Sequence, residues 1–107
     1  MTTKLGKITK VTLGTGGYQE AQFGFSFEIE YGIYTTGDFW GTWSERSESA
    51  KYSMYEWREH WIEAMLRIKK IMGEAKVQEF SELIGIPVDI TFDGERMTGW
   101  RILTEAL

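Results

Sequence analysis

Between Gln22 and Tyr31 apolar and polar residues alternate without a break: Phe23, Phe25, Phe27, Ile29 and Tyr31 against Gln22, Gly24, Ser26, Glu28 and Glu30. A period of two places one set on each face of a strand, so this segment predicts a half-buried strand with an apolar face. Residues 7–13, KITKVTL, also alternate, but Ile8 falls on the register of Lys10 and Thr12, whereas Val11 and Leu13 fall with Lys7 and Thr9. A strand is expected there, with its buried face left open. Gly14 to Gln22 is glycine-rich and polar and reads as the connection between the two, too short for the crossover that a parallel pair requires. Ile33 to Thr36 is a candidate short strand, after which Phe39, Trp40 and Trp43 lie among Gly37, Asp38, Gly41 and Ser44 as an aromatic loop.

The period then changes. From Ser53 to Met72, Trp57, Trp61, Met65, Ile68 and Met72 recur three or four apart with Ala64 beside them, one stripe of a helix of roughly five turns. Ser53 suits its N-cap, with Glu56 placed for a capping box, and Gly73 suits its C-terminal closure. Trp61→Ala should cost about 3–5 kcal/mol if that ring is fully buried. A second, shorter amphipathic helix is expected over Glu74 to Leu83, with Val77, Phe80 and Leu83 on one side and Gly85 ending it. Pro87 to Phe92 and Thr98 to Leu103 supply the last two strands about the Asp93-Gly94 turn.

Together these elements predict a single α+β domain over residues 1–107, in the order β-β-(β)-α-α-β-β. The expected architecture is two-layered: an antiparallel sheet of four or five strands packed by one long and one short helix.

The 107 residues carry 12 basic and 16 acidic side chains, a net charge of -4. That balance disfavours a nucleic-acid partner, since backbone recognition depends on clustered Lys and Arg. Acid is concentrated late: Glu74, Glu79, Glu82, Asp89, Asp93 and Glu95 share their stretch with only Lys76, a surface suited to a basic partner or simply to solubility. Without cysteine there is no thiol chemistry, and no apolar run approaches the ~20 residues of a membrane span. A soluble, cytoplasmic protein is expected.

No catalytic, cofactor-binding or metal constellation assembles from the sequence. GTGGY at Gly14 to Tyr18 lacks the lysine and the following helix of a phosphate loop, and a strand follows instead. His60 is the single histidine and EWREHW does not match HExxH. Glu28 and Glu30 share the polar face of their strand, where solvation accounts for both. The candidate site is therefore a protein interface built from Tyr18, Gln19, Phe39, Trp40 and Trp43, because rigid aromatic rings dominate interface energetics at small entropic cost. The same aromatic residues would alternatively plug one end of the sheet.

The segments GGYQEAQFGFSF at 16–27, PVDITFDG at 87–94 and WRILTEAL at 100–107 resemble a family of small bacteriophage or prophage proteins of uncharacterised function. The resemblance implies an accessory protein of the bacterial cytoplasm and brings no catalytic residue or cofactor with it. The leading expectation is a non-enzymatic protein that binds and redirects a host protein. The alternatives are a homo-oligomeric structural protein, whose Trp and Met stripe packs across a symmetry axis, and a small ligand-binding domain or enzyme with a pocket between sheet and helix.

Overall fold

The computed structural model describes residues 1–16, 22–43 and 52–107. Its strands are β1 (Thr2–Gly16), β2 (Gln22–Tyr31), β3 (Tyr34–Trp43), β4 (Pro87–Asp93) and β5 (Arg96–Ile102), with helix α1 (Met54–Ala75) between β3 and β4. All strand pairs are antiparallel and the sheet runs β3-β2-β1-β4-β5. β1 is shared: Thr2 to Lys7 pair with β4, and Lys7 to Gly16 pair with β2.

An irregularity between Ile8 and Lys10 resolves the ambiguous alternation of β1. The extra residue at Thr9 flips the side-chain parity, so Ile8 before it and Val11 after it both reach the core although they differ by an odd number. The two tight turns are set by glycine. Tyr31 pairs with Tyr34 around Gly32 (φ 60°), and Asp93 pairs with Arg96 around Gly94 (φ 64°), so Met97 belongs to β5.

The expected two-layer arrangement, a sheet of four or five strands packed by one long and one short helix, is corrected: the five-stranded sheet is curled into a half-barrel. Inward side chains of the two edge strands meet across it. Trp100 Nε1 of β5 donates to Asp38 Oδ2 of β3 at 2.7 Å, Thr36 Oγ1 approaches Met97 Sδ at 3.9 Å, and Trp100 packs edge-on against Phe27 at 5.0 Å. Ile8, Phe25, Phe27, Ile29, Leu83, Val88, Ile90, Phe92 and Ile102 fill the interior. α1 packs on β3 and β5.

Two expectations about the helices are overturned. α1 is the single α-helix among the described residues, and the segment expected to form a second one holds only a 3-10 turn, Phe80–Leu83. α1 continues through Gly73 because Ala75, one turn from Ile71, is buried against the core. Closure falls instead to Lys76 in the left-handed region (φ 60°), with Val77 N–H bonded to Met72 O at 3.1 Å. Beyond the turn the chain is committed to β1, through Gly85 N–H to Ile8 O at 2.7 Å and Ile8 N–H to Ile86 O at 3.1 Å, which leaves too few residues for another helix.

The buried stripe of α1 is also displaced. Ala64, Ile68, Ile71 and Ala75 face the core, whereas Met65 is exposed and Trp57, Trp61 and Met72 are half-buried at its flank. Two alanines let the helix axis approach the sheet, and the large rings are left to line the side. The Ser53 cap forms as expected, its Oγ accepting from Glu56 N–H at 3.0 Å.

Candidate functional site

The aromatic segment is part of a ten-residue strand, not a loop. Strand geometry therefore decides where its rings go. Trp40 pairs with Phe25 and shares the inner face, while Phe39 pairs with Ser26 and shares the outer face. The structure separates these neighbours onto opposite sides of one edge strand. Trp43 closes β3 opposite Gln22. Tyr18 and Gln19 lie outside the described residues.

On the inner face Trp40 lies beside α1, with the Arg67 guanidinium 5.2 Å from its ring centroid. A guanidinium over an indole face gains about 0.5–1 kcal/mol at an exposed site, and here it ties the helix to the end of β3. Trp40 nevertheless keeps 40 % of its surface and Phe39 keeps 43 %. On the outer face Phe39 lies over Gly41, where a β-carbon would sit 2.7 Å from its Cζ. Next to it Gly24 faces Gly41, and a β-carbon on Gly24 would come within 2.2 Å of Trp40 O. Glycine is thus required at this crossing, and the bare backbone gives Phe39 a flat seat.

From that ring a shallow trough of about 600 Å³ runs over the outer face of β1, β2 and β3, lined by Lys10, Thr12, Ser26, Glu28 and Thr35. The Thr12 and Ser26 hydroxyls hydrogen-bond each other across the strand pair, and Thr9 Oγ1 donates to Glu28 O at 3.2 Å. The trough offers hydroxyls, one cation, one carboxylate and an aromatic edge. These are groups that recognise a polypeptide surface by hydrogen bonding around an aromatic anchor.

β3 ends the sheet, so among the described residues one row of its backbone donors and acceptors has no strand beside it. Apart from Asp38 it carries neither charge nor proline. Exposed edges are usually blunted by such residues, and Asp38 turns inward to Trp100.

Behind the strand, Phe23 stacks on Trp61 at 5.2 Å and Trp57 meets Trp61 edge-on at 6.0 Å. Thr42 Oγ1 and Trp61 Nε1 are buried there without hydrogen-bond partners among the described residues, and both side chains line one small void of about 20 Å³. Sequence reasoning missed this junction because it read the stretch around Thr42 as a loop, where no inward face is defined.

Away from β3 the strongest electrostatic feature joins the end of β5 to β4. Arg101 bonds Asp89 at 2.8 Å and both oxygens of Glu105 at 3.1 Å. The Arg101 hydrogen bond holds the Glu105 carboxyl below its ordinary range, and Glu105 in turn raises Arg101. Among the described residues no group of three or more His, Cys, Asp or Glu could hold a metal ion, and no helix is long and apolar enough to cross a membrane.

Compared with known proteins, the chain matches no family model, no curated protein and no solved structure.

Proposed function

We propose that this chain is a non-enzymatic protein-binding domain, a bacteriophage or prophage accessory protein that engages a host protein in the bacterial cytoplasm, where it acts as an inhibitor. The observation that carries the reading is the C-terminal half of β3. There two large aromatic side chains, Phe39 and Trp40, stay about two-fifths exposed on opposite faces of a sheet edge that, among the described residues, has no further strand beside it. A partner reaching this edge would meet an aromatic anchor on either face and backbone groups between them, which is the pattern of strand addition to an exposed edge. The phage assignment draws on the resemblance of residues 16–27, 87–94 and 100–107.

Affinity capture from bacterial lysate with a tagged chain tests it, using Phe39→Ala and Trp40→Ala as paired controls. A host protein recovered with the natural chain and lost with both variants, while each still unfolds cooperatively, is the expected outcome. Retention of every captured protein by both folded variants would remove β3 as the binding edge.

A further inference from the structure

The outward face of α1 carries a second apolar stripe. Ile62 is 49 %, Met65 59 % and Leu66 58 % exposed, and Met65 and Leu66 border, with Met72 and Val77, an apolar trough of about 610 Å³. Large aliphatic side chains gathered on one exposed helix face mark an association surface more often than they mark chance exposure. The charges beside the stripe say what associates.

Glu63 and Lys70 project from the same side of this face, one on each side of Leu66 and nearly equally far from it along the helix. Glu59 continues the acidic end of that side. Two copies of α1 crossing antiparallel at Leu66 would bring these same sides together, so Glu63 of each copy would meet Lys70 of the other. A parallel two-fold pairing would instead set opposite sides together and leave Glu63 of one copy separated, across the seam, from Lys70 of the other. The pattern is therefore complementary to its own reversal, which is what a two-fold interface requires. Lys69 stands beside the stripe, where its methylene stem can cover Ile62 of the second copy while its ammonium stays in water. Gly73 adds no bulk toward the far end, since a β-carbon there would meet nothing within 4 Å.

We infer that the chain self-associates through this face as an antiparallel, two-fold dimer centred on Leu66. The occupant of the trough is the same trough of a second copy. The surface lies on α1 and does not use Phe39 or the edge of β3, so it stands or falls separately from host-protein binding.

Sedimentation velocity on the full chain decides it. At about 100 µM, where a modest interface is populated, the natural chain should sediment at twice the monomer mass and Leu66→Glu as a monomer. Glu63→Lys and Lys70→Glu should each weaken the dimer about tenfold, and the two together should restore it. Both positions are on the surface, so the charge pair keeps the test sharp even if Leu66→Glu fails to fold. A monomeric natural chain at that concentration, a dimer that survives Leu66→Glu, or a double variant no better than the singles overturns the inference. So does a monomer that binds phosphatidylglycerol vesicles through Leu66, which would assign the face to a lipid surface.

Discussion

Helix α1 has two apolar faces that fare differently. The inward one is built from Ala64, Ile68, Ile71 and Ala75, all nearly inaccessible, and the outward one from Ile62, Met65 and Leu66, each about half exposed. The larger side chains are on the outside. Hydrophobicity alone would have turned the helix around, and steric fit decides against it: small residues let the helix approach β3 and β5 closely, with Ile68 and Ile71 filling the remaining space. The buried face contributes stability and the exposed face is free for association.

The sharpest break of that comparison is a matched truncation. Ile68→Ala should cost about 2–4 kcal/mol because it leaves a cavity in a packed interior, whereas Leu66→Ala, measured below the dimer range, should stay within about 0.5 kcal/mol. Urea denaturation monitored by tryptophan fluorescence measures both, and equal losses would mean that the outward stripe is also supporting the fold.

Next in size is the link between the sheet edges. Trp100→Phe keeps most of the ring but removes the Nε1 donor, leaving the half-buried Asp38 carboxylate without that bond at a cost of about 1–3 kcal/mol. A midpoint indistinguishable from the natural chain would show that the half-barrel is held by apolar packing alone. Trp40→Leu should lose about 0.5–1 kcal/mol with the Arg67 contact, and Arg67→Gln should lose a similar amount without adding to it. A double-mutant cycle in which the two losses sum would dissolve this tie between helix and strand.

The smallest effect is electrostatic. Because Arg101 lowers the folded-state pKa of Glu105, its contribution is present above the unfolded value near 4.5 and is lost as pH falls through the folded value. Both groups are exposed, so the change in stability is slight. An NMR titration should find the Glu105 midpoint below 4.5, returning upward in Arg101→Ala.

Much of this architecture was legible in the chain. The perfect alternation of β2 gave its inward face residue by residue, and Ser53 marked the start of α1 where its cap forms. What misled the reading was local chemistry overruled by contacts from far away. Gly73 carried a stop signal, yet burial of Ala75 drew the helix past it. The Phe80 segment had helical spacing, yet the backbone bonds of Ile8 in β1, accepting from Gly85 and donating to Ile86, left it no length.

β1 looked ambiguous because a bulge reverses its parity, and a bulge leaves no mark in the apolar pattern except the ambiguity itself. For the candidate site, the aromatic residues were visible as residues but not as an arrangement. Glycines at 37 and 41 suggested a loop, whereas they serve close contact within an edge strand. Only the pairing with β2 reveals that Phe39 and Trp40 point apart.

The division of β1 between two partners also sets an order of assembly. Its C-terminal half pairs with β2, its neighbour along the chain, and β3 follows through a tight turn, so that meander closes over short loops. Its N-terminal half must wait for β4, since Thr2 pairs with Phe92. Long-range pairing of this kind is slow because the loop entropy is spent before any contact returns it. During synthesis the inner face carrying Phe25 and Phe27 is therefore complete as a surface before Val88, Ile90 and Trp100 exist to cover it. This order predicts a nascent stage in which the apolar inner face of β2 is open to water, and it is at that stage that aggregation would compete with folding.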